Sequence, residues 1–144
     1  MKFISIKQDG TPAGKVELTD ALTEVCKQTR GLYQKEGFVS PWVGYLMLID
    51  DVVVGTCSFK SPPKENRVEI AYFTFPENEG KGYGTEMAKF LVATAKKEMP
   101  DIQIIAQTLL EDNASTTILR KMGFAKARQI KHPEDGLVQE WELE

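Results

Sequence analysis

The sequence predicts an α+β fold: a mixed, mostly antiparallel, twisted sheet of about six to seven strands with one central parallel pair, flanked by about three to four helices. Three observations carry that expectation. A chain of 144 residues is the length of one domain, so residues 1–144 are read as a single unit. Two apolar runs, 45–49 and 52–58, are separated only by Asp50-Asp51, which is hairpin spacing. A third run, 68–75, leads through a glycine-rich loop into helical periodicity and then into a fourth run at 102–108. A strand–helix–strand connection of that size makes its two strands parallel neighbours.

The elements follow in chain order. A strand is expected at 3–7, where apolar and polar residues alternate. Thr19 and Asp20 offer N-cap side chains to a helix whose apolar stripe is Leu22, Val25, Cys26, Thr29 and Leu32. After Pro41 comes the hairpin, and Ser61-Pro-Pro-Lys64 is a loop. Along the strand at 68–75, Val68, Ile70, Tyr72 and Thr74 take one face and Glu69, Ala71, Phe73 and Phe75 the other. From Thr85 the period is helical: Met87, Phe90, Leu91 and Ala95 form a stripe, Lys96 and Lys97 suit the negative dipole end, and Pro100 stops the helix. After the strand at 102–108, a short helix capped by Asp112 or Asn113 carries Ala114, Ile118 and Met122. It ends at Gly123, where a left-handed residue is wanted. Strands at 124–130 and 137–143 close the chain, joined through the turn signal Asp135-Gly136.

Composition excludes several classes. At 42% hydrophobic and 27% charged residues the chain is ordinary globular protein, not disordered, collagenous or coiled-coil. With 18 Lys+Arg against 21 Asp+Glu the net charge is −3, which argues against a general nucleic-acid binder and requires any anionic ligand to be held locally. Cys26 and Cys57 lie in apolar segments without metal-ligand or disulfide spacing, so both are expected as buried, reduced thiols and no metal is expected. The start of the chain lacks signal-peptide character, and no apolar run approaches the roughly 20 residues of a membrane-spanning helix. A cytoplasmic protein is expected.

Gly80, Gly82 and Gly84 alternate between a strand and a helix start. Glycine lets the backbone take positive φ and approach a ligand, so consecutive N–H groups can converge on a phosphate at the positive end of a helix dipole. A tight packing turn is the other reading of the same spacing. A P-loop is excluded because Lys81 is followed by Gly82 and no hydroxyl is placed to hold magnesium. A dinucleotide fingerprint fails as well, because the third glycine would fall on Thr85 or Met87.

Three blocks occur together in this order: Val68-Glu-Ile-Ala-Tyr72, Gly80-Lys-Gly-Tyr-Gly-Thr-Glu86 and Asn113-Ala-Ser-Thr-Thr-Ile-Leu-Arg-Lys-Met-Gly-Phe124. In this the chain resembles the GNAT superfamily of acyl-CoA-dependent N-acetyltransferases, in the branch that includes the ribosomal-protein-type enzymes. The resemblance implies a GNAT-like fold over a single acetyltransferase domain and acetyl-CoA as co-substrate. It places the pyrophosphate on the backbone N–H groups of Gly80, Lys81, Gly82, Tyr83, Gly84 and Thr85, and the pantetheine arm beside Phe73, Thr74 and Phe75 like an extra strand. Two positions depart from the family pattern. Glu79 stands where relatives usually carry Arg or Gln, so its carboxylate is expected to point to solvent and to weaken cofactor affinity modestly. Asp112 stands where Asn is usual. Asp112 and Asn113 are therefore either contacts of the pantetheine or only helix caps.

Acetyl transfer to an amine needs a base to take a proton from the ammonium, and an acid can protonate the departing thiolate. Glu69 is the expected base: it is the carboxylate on an otherwise apolar strand face, where desolvation raises its pKa. Relatives often place a catalytic Glu here. The alternative is a strand Glu paired with Lys60. Where many relatives use an acidic Tyr this chain has Leu119, which leaves Ser115 and Tyr72 as hydroxyl candidates, with Ser115 equally suited to cap the helix. Trp42, near Pro41 and Tyr45, is read as an aromatic floor for a substrate amine through cation–π contact, or as core. Lys81, Arg120 and Lys121 either add charge near the phosphates or are solvated, and His132 beside Pro133 is read as a surface residue.

The function expected is therefore acetyl transfer from acetyl-CoA to a primary amine, on a small molecule or a peptide N-terminus, by direct transfer in a ternary complex. A catalytically weak acyl-CoA-binding or sensor module is the alternative. No nucleic acid, membrane or metal is expected as a partner, and the protein is expected as a monomer or homodimer. The surplus of carboxylates leads us to expect a cationic acceptor.

Overall fold

The computed structural model describes residues 1–143. Its elements are β1 (Lys2–Ser5), α1 (Asp20–Glu36), β2 (Gly44–Ile49), β3 (Val52–Phe59), β4 (Arg67–Thr74), α2 (Tyr83–Glu98), β5 (Gln103–Thr108), α3 (Ala114–Met122), β6 (Phe124–His132) and β7 (Gly136–Leu143). A short 3-10 turn at Pro76–Asn78 lies between β4 and α2. The seven strands form one sheet in the order β1-β2-β3-β4-β5-β7-β6. Among them β4 and β5 are the parallel pair and every other neighbour is antiparallel. The α+β class, the strand number and the central parallel pair agree with the sequence expectation.

Most boundaries agree to within one residue, and three differ by two. β1 stops at Ser5 because the chain folds back on itself: the Lys7 N–H donates to the Thr11 carbonyl at 2.8 Å, and Ile6 bridges to Pro12. α2 begins two residues early, at Tyr83, because Gly82 takes the N-cap in the left-handed region. β6 runs on to His132 because its hairpin with β7 closes tightly, with His132 paired to Gly136.

The core lies in two layers. Under α1, Leu22, Cys26 and Tyr33 pack on Ile6, Val43, Leu46 and Leu48. On the other face, Met87, Leu91 and Ala95 of α2 pack on Val54, Cys57, Phe59, Val68 and Ile70. Both layers follow from period-2 alternation on the strands meeting period-3.6 stripes on the helices. Caps set the helix starts: the Thr19 hydroxyl accepts from the Leu22 N–H at 3.1 Å, and Asn113 and Thr116 form a reciprocal capping box on α3.

Tyr33 ties α1 to the sheet edge. Its hydroxyl donates to the Ile6 carbonyl and accepts from the Gly44 N–H, each at 2.8 Å, and burial pushes its pKa up to about 12. Removing the hydroxyl leaves a buried donor and a buried acceptor without partners, so Tyr33→Phe is expected to cost about 2–4 kcal/mol. Urea denaturation measures this. A loss below about 0.5 kcal/mol would show that the two backbone groups find other partners.

Two features of this arrangement position the site. The α1 layer rests on β1 and β2 and reaches only the edge of β3, leaving the same face of β4 and β5 open. β4 and β5 pair only from Arg67↔Gln103 to Ile70↔Ala106. Beyond that point residues 71–74 stay paired to β3 while β5 continues along β7, and a wedge opens between the two parallel strands.

Candidate active site

The loop that enters the wedge comes first. Gly80 and Gly82 lie at φ +79° and +82°, in the region that favours glycine, and a Cβ on Gly82 would meet nothing within 4 Å. The backbone conformation, rather than crowding, therefore requires glycine there. Gly84 differs: a Cβ would fall 2.8 Å from Ile118 Cδ1, so this glycine lets α2 approach α3 closely. Gly82 as N-cap carries no side chain to satisfy the first turn of α2. The N–H groups of Tyr83, Gly84 and Thr85 face the open loop at the positive end of the helix dipole.

The alternation of β4 divides the site between two faces. Glu69 is half-buried on the α1 side and lines a cavity of about 500 Å³ together with Lys60, Ala71, Thr108, Leu109 and His132. Burial raises its carboxyl above the ordinary carboxylate value, and the opposing charges of Lys60 and then His132 only partly offset this. The Lys60 N–H donates to the Glu69 carbonyl at 2.9 Å. The two residues are thus tied through the backbone, and among the described residues the Glu69 carboxylate makes no ion pair.

On the other side of β4 the Tyr72 hydroxyl donates to the Ser115 carbonyl at 3.2 Å, and burial pushes its pKa up to about 12. The phenol is therefore protonated at neutral pH. Ser115 is half-buried at the start of α3, and the capping work is done by Asn113 and Thr116. The Tyr72 phenol thus ties β4 to the backbone at the start of α3. Leu119, one turn further on, is fully buried in the core.

The other expected residues fall as follows. Phe73 is half exposed and meets Phe75 edge-on at 5.9 Å, and Thr74 pairs with Gly55. Glu79 and Lys81 are exposed. The Asp112 carboxylate accepts from Arg120 at 3.1 Å, and the Arg120 guanidinium lies 5.3 Å from the centre of the Trp141 ring, so these two side chains engage each other and the core edge. Asn113 caps α3 with its side-chain oxygen.

Two sequence readings are corrected. Trp42 does not floor the cleft: it is 6% exposed and packs edge-on to Phe59 at 5.0 Å inside the α2-side core. Its large apolar area is buried where β3 supplies a partner ring. His132 is more than a surface residue. The β6–β7 hairpin tip brings it to the Glu69 cavity, where its Nδ1 accepts from the Glu134 and Asp135 N–H groups at 3.2 and 3.3 Å. Lys35, Thr108 and Asp135 also line this cavity and had no sequence signal, because they come from three distant segments. Among the described residues no three His, Cys, Asp or Glu side chains cluster as a metal site requires, and no helix is long and apolar enough to cross a membrane.

A mixed seven-stranded sheet opened at its parallel pair, with an uncapped glycine loop at the helix between those strands, defines an acetyltransferase fold. A family model described as the acetyltransferase (GNAT) domain matches residues 7–125, and the chain belongs to that family. Comparison with curated proteins found no match. Among solved structures, a chimeric spermidine N-acetyltransferase from Vibrio cholerae aligns with a TM-score of 0.71 at 11% identity, covering 99% of this chain and 95% of that one. The ribosomal L7/L12 α-N-protein acetyltransferase RimL, in complex with coenzyme A, aligns at 0.67 and 16%, covering 88% and 72%. A putative acetyltransferase from Salmonella typhimurium, solved with acetyl-CoA, aligns at 0.62 and 18%, covering 90% and 75%. At these identities the likeness is one of fold.

Proposed function

We propose that this GNAT protein is an acetyl-CoA-dependent N-acetyltransferase that moves the acetyl group directly to a primary amine, on a small molecule or a peptide N-terminus, in a ternary complex. One observation carries the reading: a glycine loop without a side-chain cap leads into α2 where β4 and β5 part, and just before that point Glu69, a desolvated carboxylate, stands on the face turned to the open cavity. The residues present fit the co-substrate. Backbone N–H groups of residues 80–85 suit a pyrophosphate, and the β4 edge at 71–74, without a strand partner on the β5 side, offers backbone groups to the pantetheine. Among the described residues the Asn113 side chain bonds through its oxygen alone, so its N–H groups suit the same arm, beside Asp112. The coenzyme A and acetyl-CoA held by two of the structural relatives agree with this choice.

Acetyl-CoA supplies an activated acyl carbon, and the chain supplies position and proton transfer. Glu69 takes the proton from the bound ammonium, directly or through water, and its raised pKa brings its basicity toward the working pH. Tyr72, or Ser115 beside it, donates a proton toward the departing sulfur. Cys57 is buried and its thiol is pushed well up, so it is no nucleophile. Reduced buried thiols at Cys26 and Cys57 support a cytoplasmic setting, and the active unit is a monomer or homodimer.

The test is a thermal shift with acetyl-CoA and CoA, followed by free-thiol release over amines, amino acids, polyamines, aminoglycosides and peptide N-termini. A shift together with thiol release is expected. Binding without release across that panel would favour an acyl-CoA-binding sensor, the reading that Glu79 and the buried Leu119 speak for. No shift at saturating acetyl-CoA would overturn both.

A further inference from the structure

We infer that the acceptor is an amine carrying a carboxylate, and that Lys60 selects it; the inference rests on the Glu69 cavity being the acceptor site. Six charged or ionisable side chains line that cavity: Lys35, Glu36, Lys60, Glu69, His132 and Asp135. They are not equally free. Lys64 bonds the Glu36 carboxylate at 2.8 Å and holds it below the usual carboxylate value. Asp135 lies 3.6 Å from His132 Nδ1 and is exposed at the hairpin tip. Among the described residues neither Lys35 nor Lys60 makes an ion pair. What remains is the ammonium groups of Lys35 and Lys60, both exposed and without an ion pair, the desolvated Glu69 carboxylate between them and the hairpin, and Asp135 at the exposed rim beside His132.

That arrangement opposes the cationic acceptor expected from the whole-chain charge of −3. Charges further away than the Debye length of about 10 Å are screened, so the groups lining the cavity decide the matter, not the chain's sum. A polyamine bound with one nitrogen at Glu69 would set its next ammonium near two lysines that make no ion pair among the described residues. A carboxylate in the same place would pair with them, and Glu69 would be left to take the proton from the amine.

Lys60 is singled out by its place. It lines both the Glu69 cavity and a second, more apolar groove of about 670 Å³ between α1 and the β3–β4 face, and the two spaces share Leu32, Lys60 and Ala71. An acceptor whose apolar part lies in the groove, against Val25 and Phe73, must pass Lys60 to reach Glu69. A free amino acid and a peptide with an acidic residue beside its N-terminus both satisfy this chemistry.

The experiment measures kcat/KM by thiol release for matched pairs: phenylalanine against phenethylamine, and phenylalanyl-aspartate amide against phenylalanyl-lysine amide. The first pair reads the free amino acid, the second the peptide. The carboxylate-bearing member of at least one pair is expected to win by about tenfold or more, as a charge-assisted hydrogen bond provides. Lys60→Glu is expected to reverse that preference and Lys60→Met to abolish it, with the acetyl-CoA thermal shift retained in both. Preference of the native protein for spermidine or phenethylamine over every carboxylate-bearing acceptor would overturn the inference, as would an unchanged ratio in Lys60→Glu. Absence of thiol release with every amine would instead overturn the acetyltransferase reading beneath it.

Discussion

Glu69→Gln is expected to lower turnover about 100-fold or more while leaving acetyl-CoA affinity unchanged. Gln keeps the size and hydrogen-bonding capacity of the side chain but cannot accept a proton from an ammonium. The pH profile separates this from mere disturbance of the cavity. Because burial raises the Glu69 pKa above 4.5, the native protein should lose activity on the acid side with an inflection above that value, and the variant should lack that limb. Stability moves the other way. A carboxyl whose folded-state pKa is raised binds its proton more tightly when folded, so it favours folding at low pH and loses that contribution as pH rises through the raised value. At neutral pH the ionised Glu69 is therefore a cost, and Glu69→Gln should melt no lower than the native protein. A turnover loss below about threefold would remove Glu69 from the role of base.

Gly82→Val is expected to weaken acetyl-CoA binding by about tenfold or more, measured by titration calorimetry. The argument is conformational. Open space surrounds a Cβ at this position, so no clash forbids valine, but φ +82° places a β-branched residue where it is strained. The strain is relieved only if the loop turns its N–H groups away from the mouth of the wedge. Gly82→Asn is the control, since Asn tolerates the left-handed region, and it should retain most of the affinity. Equal affinity for the native protein and Gly82→Val would show that the N–H groups of this loop do not hold the phosphates.

How much could be read beforehand differs by residue. The β2–β3 hairpin followed from Asp50-Asp51, and both residues take positive φ in the turn. The α3 stop followed from Gly123, and its cap was narrowed to Asp112 or Asn113, of which the structure uses Asn113. Glu69 stood out as a lone carboxylate on an apolar strand face, a pattern that depends only on neighbours along the same strand. Trp42 was ambiguous because a Trp after a proline looks alike in a cleft and in a core; the ring of Phe59, on another strand, decided it. His132 was misplaced because its surroundings come from a hairpin tip bent toward α1 and β4, which no local period encodes.

By itself the sequence determined the element order, the parallel β4–β5 pair, the glycine loop and the face that carries Glu69, because each depends on periodicity, capping or backbone freedom within a few residues of chain. Only the tertiary structure decided where the parallel strands part, that Tyr72 meets the Ser115 carbonyl, that Lys64 pairs with Glu36, and that Lys35 and Lys60 line the cavity without an ion pair among the described residues. The physical reason is that a cavity's charge is a sum over side chains brought together from α1, the end of β3, β4 and the β6–β7 hairpin. A net charge of −3, counted along the chain, carries no information about which of those charges lie within reach of one another.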